Sequence, residues 1–171
     1  MIDDALRERA RTATRSRVNP HLADATHLAA VLCKRYEGAY LRPYICPAGV
    51  WTIGYGATFY PNGVAVRPTD DPITLTQAEA ILDWMLRKHF MPKVIGLCPG
   101  IKTPEQLAAI TDFTFNLGVK RLKTSTLRKK INEGDWEAVP SELRKWTKGG
   151  GRILRGLVAR REAEITLLGL D

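Results

Sequence analysis

Apolar residues at 28, 31, 32 and 36 in "ATHLAAVLCKRYE" recur at the spacing of one helical face, so residues 25–37 are expected to form a helix with Leu28, Val31, Leu32 and Tyr36 inward. Gly38 ends or loosens it, and Pro43 and Pro47 keep the next stretch irregular. The pattern then changes. In "GVWTIGYGATFYPNGVAV" the strand formers Val50, Trp51, Thr52, Ile53, Tyr55, Phe59 and Tyr60 are punctuated by Gly54, Gly56 and Asn62-Gly63. A small antiparallel sheet is expected over roughly 50–66. After "RPTDDP" the periodicity is helical again. Thr76-Gln-Ala-Glu79 has the spacing of a capping box, followed by an apolar stripe of Ala78, Leu82, Met85, Leu86 and Phe90. Thr103-Pro-Glu-Gln106 repeats the device before "LAAITDFTFNLG", with Pro104 at the first helical position. Further helices are expected over 125–132, 136–146 and 154–168, with Gly149-Gly150-Gly151 as a loop.

One helix, a small sheet and a run of helices make an α+β chain with segregated strands. The expected arrangement is a small lobe over 25–72, an all-helical lobe over 73–171, and a ligand cleft between them. Residues 1–24 precede this domain as a basic extension, helical or disordered, with five arginines between Arg7 and Arg17. No internal repeat or low-complexity tract is present.

Charge narrows the partners. The 171 residues carry a net charge of +8. Residues 120–164 hold 13 Lys or Arg against 6 Asp or Glu, so nearly all of the surplus lies there. Such a surface suits a polyanion: nucleic acid, an anionic lipid surface or bacterial cell wall. No zinc-finger or RNA-binding motif supports nucleic acid. The three cysteines, 33, 46 and 98, do not form a disulfide framework. His21, His27 and His89 stand alone, and no metal-ligand spacing occurs. No apolar run approaches the ~18–20 residues of a membrane span, and the N-terminus lacks the apolar core of a signal peptide.

The candidate chemistry lies in "CKRYEGAYLRPYICPAGVWTIGYG", residues 33–56. Glu37 ends the first helix, Cys46 sits in the return, and Thr52 is in the first expected strand. This path could bring all three to one cleft wall. A partly buried carboxyl group there could protonate a glycosidic oxygen. Cys46 is then the nearest partner to activate water or attack the anomeric carbon, with Thr52 orienting the water. Each residue also has an ordinary role open to it: a solvated helix end, a small core thiol, a strand threonine.

The segment Glu37-Gly38…Cys46…Gly49-Val50-Trp51-Thr52-Ile53-Gly54-Tyr55-Gly56 resembles the signature of the phage lysozymes (endolysins), glycoside hydrolase family 24. That signature is Glu, eight residues, Asp or Cys, five residues, Thr. "FTFNLG", "STLRKKIN" and "KWTKGGGRILRGLVARREAE" are similar to later motifs of the family, in order, so the likeness covers about 25–170. It implies a lysozyme-like fold and hydrolysis of the β-1,4 bond between N-acetylmuramic acid and N-acetylglucosamine in peptidoglycan. By position, Glu37 is implied as the general acid, Cys46 as base or nucleophile in place of the commoner Asp, and Thr52 as the residue that positions the attacking water or flanks the anomeric carbon. Arg160 is implied to pair with the acid at the substrate site, Asn116 to bind the glycan, and Tyr44 and Tyr55 to shape the cleft; a solvated place on a basic helix is the other expectation for Arg160, and buried packing for Tyr55. Lytic transglycosylation in the same cleft, and a non-catalytic basic module, are the alternatives.

The resemblance also implies no cofactor, a monomer, synthesis in the host cytoplasm, and access to the periplasmic wall after a holin opens the membrane. Cys46 is expected to work as thiolate. Cys33, four residues before Glu37, shares its helix face, so an oxidised Cys33–Cys46 pair is a conceivable off-switch. The other expectation for Cys33 is a plain core residue, and Cys98 is expected to be structural.

Overall fold

A computed structural model describes residues 20–170. The extension expected over 1–24 therefore lies, up to residue 19, outside the described residues. Helix α1 (Pro20–Tyr36) leads into a two-stranded antiparallel sheet, β1 (Tyr40–Ile45) and β2 (Trp51–Gly54). After a long irregular segment, α2 (Leu75–Trp84), a π-helical turn (Met85–Phe90) and α3 (Met91–Leu97) run on without a break. Then come α4 (Pro104–Leu117), α5 (Val119–Thr124), α6 (Thr126–Glu133), a 3-10 turn (Trp136–Ala138) and α7 (Val139–Arg144). A minimal hairpin, β3 (Lys148–Gly149) and β4 (Arg152–Ile153), precedes α8 (Arg155–Leu168). This is the α+β class expected.

Helix α1 packs against α4 on a face turned somewhat from the expected one: Leu32 is buried and Leu28 packs against the core as expected, but Val31 does not. Ala25, Ala29, Leu32 and Cys33 are buried, whereas Val31 is 50% exposed. Small side chains make this contact, and α4 meets it with its own buried Ala108. Close helix approach therefore outweighs burying the larger residues. The first cap is also shifted. Thr74, not Thr76, accepts from the Gln77 amide at 3.1 Å, and Gln77 returns to the Thr74 amide at 2.7 Å. Thr103 and Gln106 cap α4 in the expected reciprocal manner.

The sheet departs most from expectation. It pairs 40–45 with 51–54, so β1 forms in the stretch expected to be irregular, with Pro43 inside it. Each strand of a two-stranded sheet has a free edge, where proline is tolerated, and the register shifts between Tyr40 and Tyr44. Beyond Gly54 only the isolated bridges Ile53–Ala57 and Phe59–Ala65 continue the pairing.

Two apolar clusters result. The larger joins α1, α4 and most later helices around Phe113, Ile110, Leu127, Ile131 and Leu143. The smaller holds Ile53, Ala57, Val66, Ile81 and Met85 beneath the sheet. The stripe expected on α2 is divided between them. Ala78, Leu82 and Leu86 enter the larger cluster, Met85 enters the smaller with Phe90 packed against it, and Ile81, outside the expected stripe, joins the smaller as well.

Candidate active site

Glu37 directly follows the last turn of α1, and its amide still bonds the Cys33 carbonyl at 2.8 Å. Gly38 then turns the chain. A Cβ at this position would lie 2.9 Å from the Tyr40 ring, so glycine lets β1 start against the helix end. The Glu37 side chain is 32% exposed, and its Oε1 accepts from Arg160 Nη1 at 2.6 Å. Arg160, on α8, is buried. Its Nε and Nη2 donate to Asp112 Oδ2 and Oδ1, both at 2.8 Å. Burial pulls the Arg160 guanidinium toward neutrality, but the hydrogen bonds and charges of Asp112 and then Glu37 more than reverse it. Arg160 therefore stays a cation.

Tyr36, Glu37, Asn116, Leu154, Gly156, Leu157 and Arg160 line a cavity of about 280 Å³. Asn116 is thus beside Glu37, with its Oδ1 taken by Arg161 Nη2 at 3.2 Å. Arg161 is fully buried, pairs with Glu164 at 2.6 Å and lies over the Phe113 ring.

Cys46 begins the turn between β1 and β2. Its carbonyl accepts from the Gly49 amide at 2.8 Å, and its amide donates to Val50 at 3.0 Å. Pro47 suits the second turn position, and Gly49 takes a positive φ of 77°. This folding brings backbone amides to the sulfur. The Val50 amide most of all, then the Thr52 side chain and the Ala48 amide, lower the Cys46 thiol below its usual range. Thr52 is buried on β2, and its Oγ1 donates to the Val50 carbonyl at 3.0 Å. Its single hydroxyl proton can turn to that carbonyl or to the sulfur.

Tyr44 stands opposite Thr52 in the sheet, stacked on Tyr40 with centroids 4.3 Å apart. Burial first, then Tyr40, Cys46 and Glu37, push its phenol up. Tyr55 is buried in the larger cluster.

Cys33 does not face Cys46. It is buried, and its Sγ–H donates to Asp112 Oδ1 at 3.2 Å. Burial and then the Asp112 carboxylate raise the thiol well above its usual range. All three cysteines, each among the described residues, are free. Asp112 and Arg161 were missed in the sequence. For Asp112 a signal existed: one acid inside the apolar run "LAAITDFTFNLG", a turn before Asn116. Among the described residues no group of three His, Cys, Asp or Glu could hold a metal, and no helix is long and apolar enough to cross a membrane.

Known proteins resemble this chain in sequence and in fold. Residues 34–164 match the phage lysozyme family model. An endolysin of Acyrthosiphon pisum secondary endosymbiont phage 1 is 42% identical over 144 residues, which is 80% of this chain and 92% of that protein. The solved endolysin from Escherichia coli O157:H7 phage FAHEc1 superimposes with TM-score 0.70 at 28% identity, covering 82% of this chain and 89% of its own. The muramidase domain of SpmX from Asticaccaulis excentricus gives 0.68 at 29% identity, covering 81% and 92%. With a family model spanning most of its length and a relative of this identity, the chain belongs to the phage lysozyme family.

Proposed function

We propose that this phage endolysin performs its muramidase reaction with Glu37 as general acid, Cys46 as base or nucleophile, and Thr52 as the group that governs the sulfur. The substrate is peptidoglycan, cut at the β-1,4 bond between N-acetylmuramic acid and N-acetylglucosamine. Arg160 occupies Oε1 of Glu37, which leaves Oε2 to deliver a proton to the glycosidic oxygen. Cys46, as thiolate, then either takes a proton from the attacking water or attacks the anomeric carbon itself. Asn116, beside Glu37, and Tyr44, stacked on Tyr40, bind and align the sugar.

The observation that carries this reading is Glu37, one-third exposed, fixed through one carboxylate oxygen by the buried Arg160, and lining a cavity together with Asn116. The surplus of positive charge over 120–164 draws the enzyme to the anionic envelope. In this reading it acts as a monomer, made in the host cytoplasm and admitted to the wall by a holin.

Mass spectrometry of peptidoglycan digested by the wild type and by Glu37→Gln tests the assignment. Reducing muramic acid ends, absent from the Glu37→Gln digest, are the expected result. Anhydro ends would replace hydrolysis by lytic transglycosylation. Binding without fragments from either protein would leave only a cell-wall module.

A further inference from the structure

We propose that Asp112 is the positioning residue of the general acid, acting through Arg160. The inference rests on the reading of Glu37 as that acid. A guanidinium is a rigid planar fork. Asp112 takes one whole edge of it, Nε and Nη2, with two bonds of 2.8 Å. A bidentate grip fixes the plane of the group as well as its place. The nitrogen outside that grip, Nη1, is the one that meets Glu37, at 2.6 Å. Asp112 is itself immobile, being fully buried within α4 and capped by the Cys33 thiol at 3.2 Å. Cys33 lies one turn before Glu37 on α1, so Cys33, Asp112, Arg160 and Glu37 close a ring across three helices.

The other charged or titratable groups around the ring are Arg161 and Glu164 of α8, close to Asp112, Tyr36 of α1, whose ring lies 5.6 Å from the Arg160 guanidinium, and Tyr44 of β1. Asp112 is 0% exposed, so it touches no substrate. Without its charge, Arg160 would be a buried cation with Glu37 as its remaining carboxylate. The acid would be drawn inward, away from the glycosidic oxygen. A displacement of about 1 Å at a reacting group is enough to cost roughly 100-fold in rate.

The test is kcat and KM on soluble peptidoglycan fragments, per folded molecule. Asp112→Asn should lower kcat by roughly 100-fold and leave KM within about twofold, because the acid but not the sugar contacts is disturbed. In an Arg160→Lys background, where no fork exists to be held, the same change should cost no more than about twofold further. Wild-type kcat in Asp112→Asn, or losses that simply multiply in the double variant, would overturn the proposal. Guanidinium NMR of Glu37→Gln gives a second test that needs no change at Asp112. The Arg160 Nε–H signal should stay resolved and slowly exchanging. Its collapse into the bulk arginine signal would mean that Glu37, not Asp112, holds the arginine. Wild-type lysis by Glu37→Gln is a different failure: it would remove the acid assignment and this inference with it.

Discussion

Glu37 is held by an arginine 123 residues further along the chain, whereas Cys46 is held by its own turn. The first arrangement needs the whole helical core to assemble. Arg160 and Asp112 are buried on different helices, and their charges are tolerable there only because they meet in a bidentate pair. The second needs a proline, a positive-φ glycine and three local hydrogen-bond donors. Glu37 thus inherits the rigidity of the core, and Cys46 has its acidity set largely by backbone amides. The carboxyl side should fail through geometry and stability, the sulfur side through proton affinity.

The largest effect expected is from Glu37→Gln. A positioned general acid contributes up to about 10⁴-fold, so turbidity loss of purified walls should slow by at least roughly 1,000-fold with Tm nearly unchanged. Arg160→Met should be the most destabilising change at the site. It strands Asp112 as a buried unpaired carboxylate, and denaturant unfolding should show a loss of about 3–5 kcal/mol. On the sulfur side, Thr52→Val removes a hydroxyl that lowers the thiol pKa. In the proposed reaction Cys46 must lose its proton to act, so activity should rise with pH through its pKa. With that pKa raised in Thr52→Val, the rising limb of the pH–rate profile should move to higher pH. In Cys46→Asp it should move the other way, toward the carboxylate range near about 3.9. An unmoved limb in both would break the thiolate assignment. Iodoacetamide should add once, at Cys46, and stop lysis, since Cys33 and Cys98 are buried. The smallest effect tests the scaffold alone. Thr103→Ala removes the cap of α4, and thermal unfolding should report a loss of about 1 kcal/mol without a change in pH profile.

The legible parts of the sequence were those fixed by local rules. Thr103 and Gln106 mark the start of α4 because no other frame competes. At the start of α2 two Thr-x-x-Glu/Gln frames overlap, and only the structure selects Thr74 with Gln77. Strand β1 was not legible, because its exposed positions show no alternation and Pro43 argues against pairing. The neighbourhood of Glu37 was legible only in part. The spacing of Glu37, Cys46 and Thr52 is local in the chain, but the bond between Asp112 and Arg160 spans 48 residues and has no period to reveal it. "RR" at 160–161 looks like a solvated basic pair, yet both arginines are buried. Val31 misled for the opposite reason: size and spacing suggested burial, and the helix turned its alanines inward instead.

The helix that continues through Met85–Phe90 is anchored by Ile81 and Met85 under the sheet and by Leu86, Met91 and Val94 among the other helices. It therefore ties the apolar bed of the Cys46 hairpin to the helical body that holds Glu37. A π-helical turn is the weak point of such a rod, since kinks concentrate where the regular ladder is interrupted.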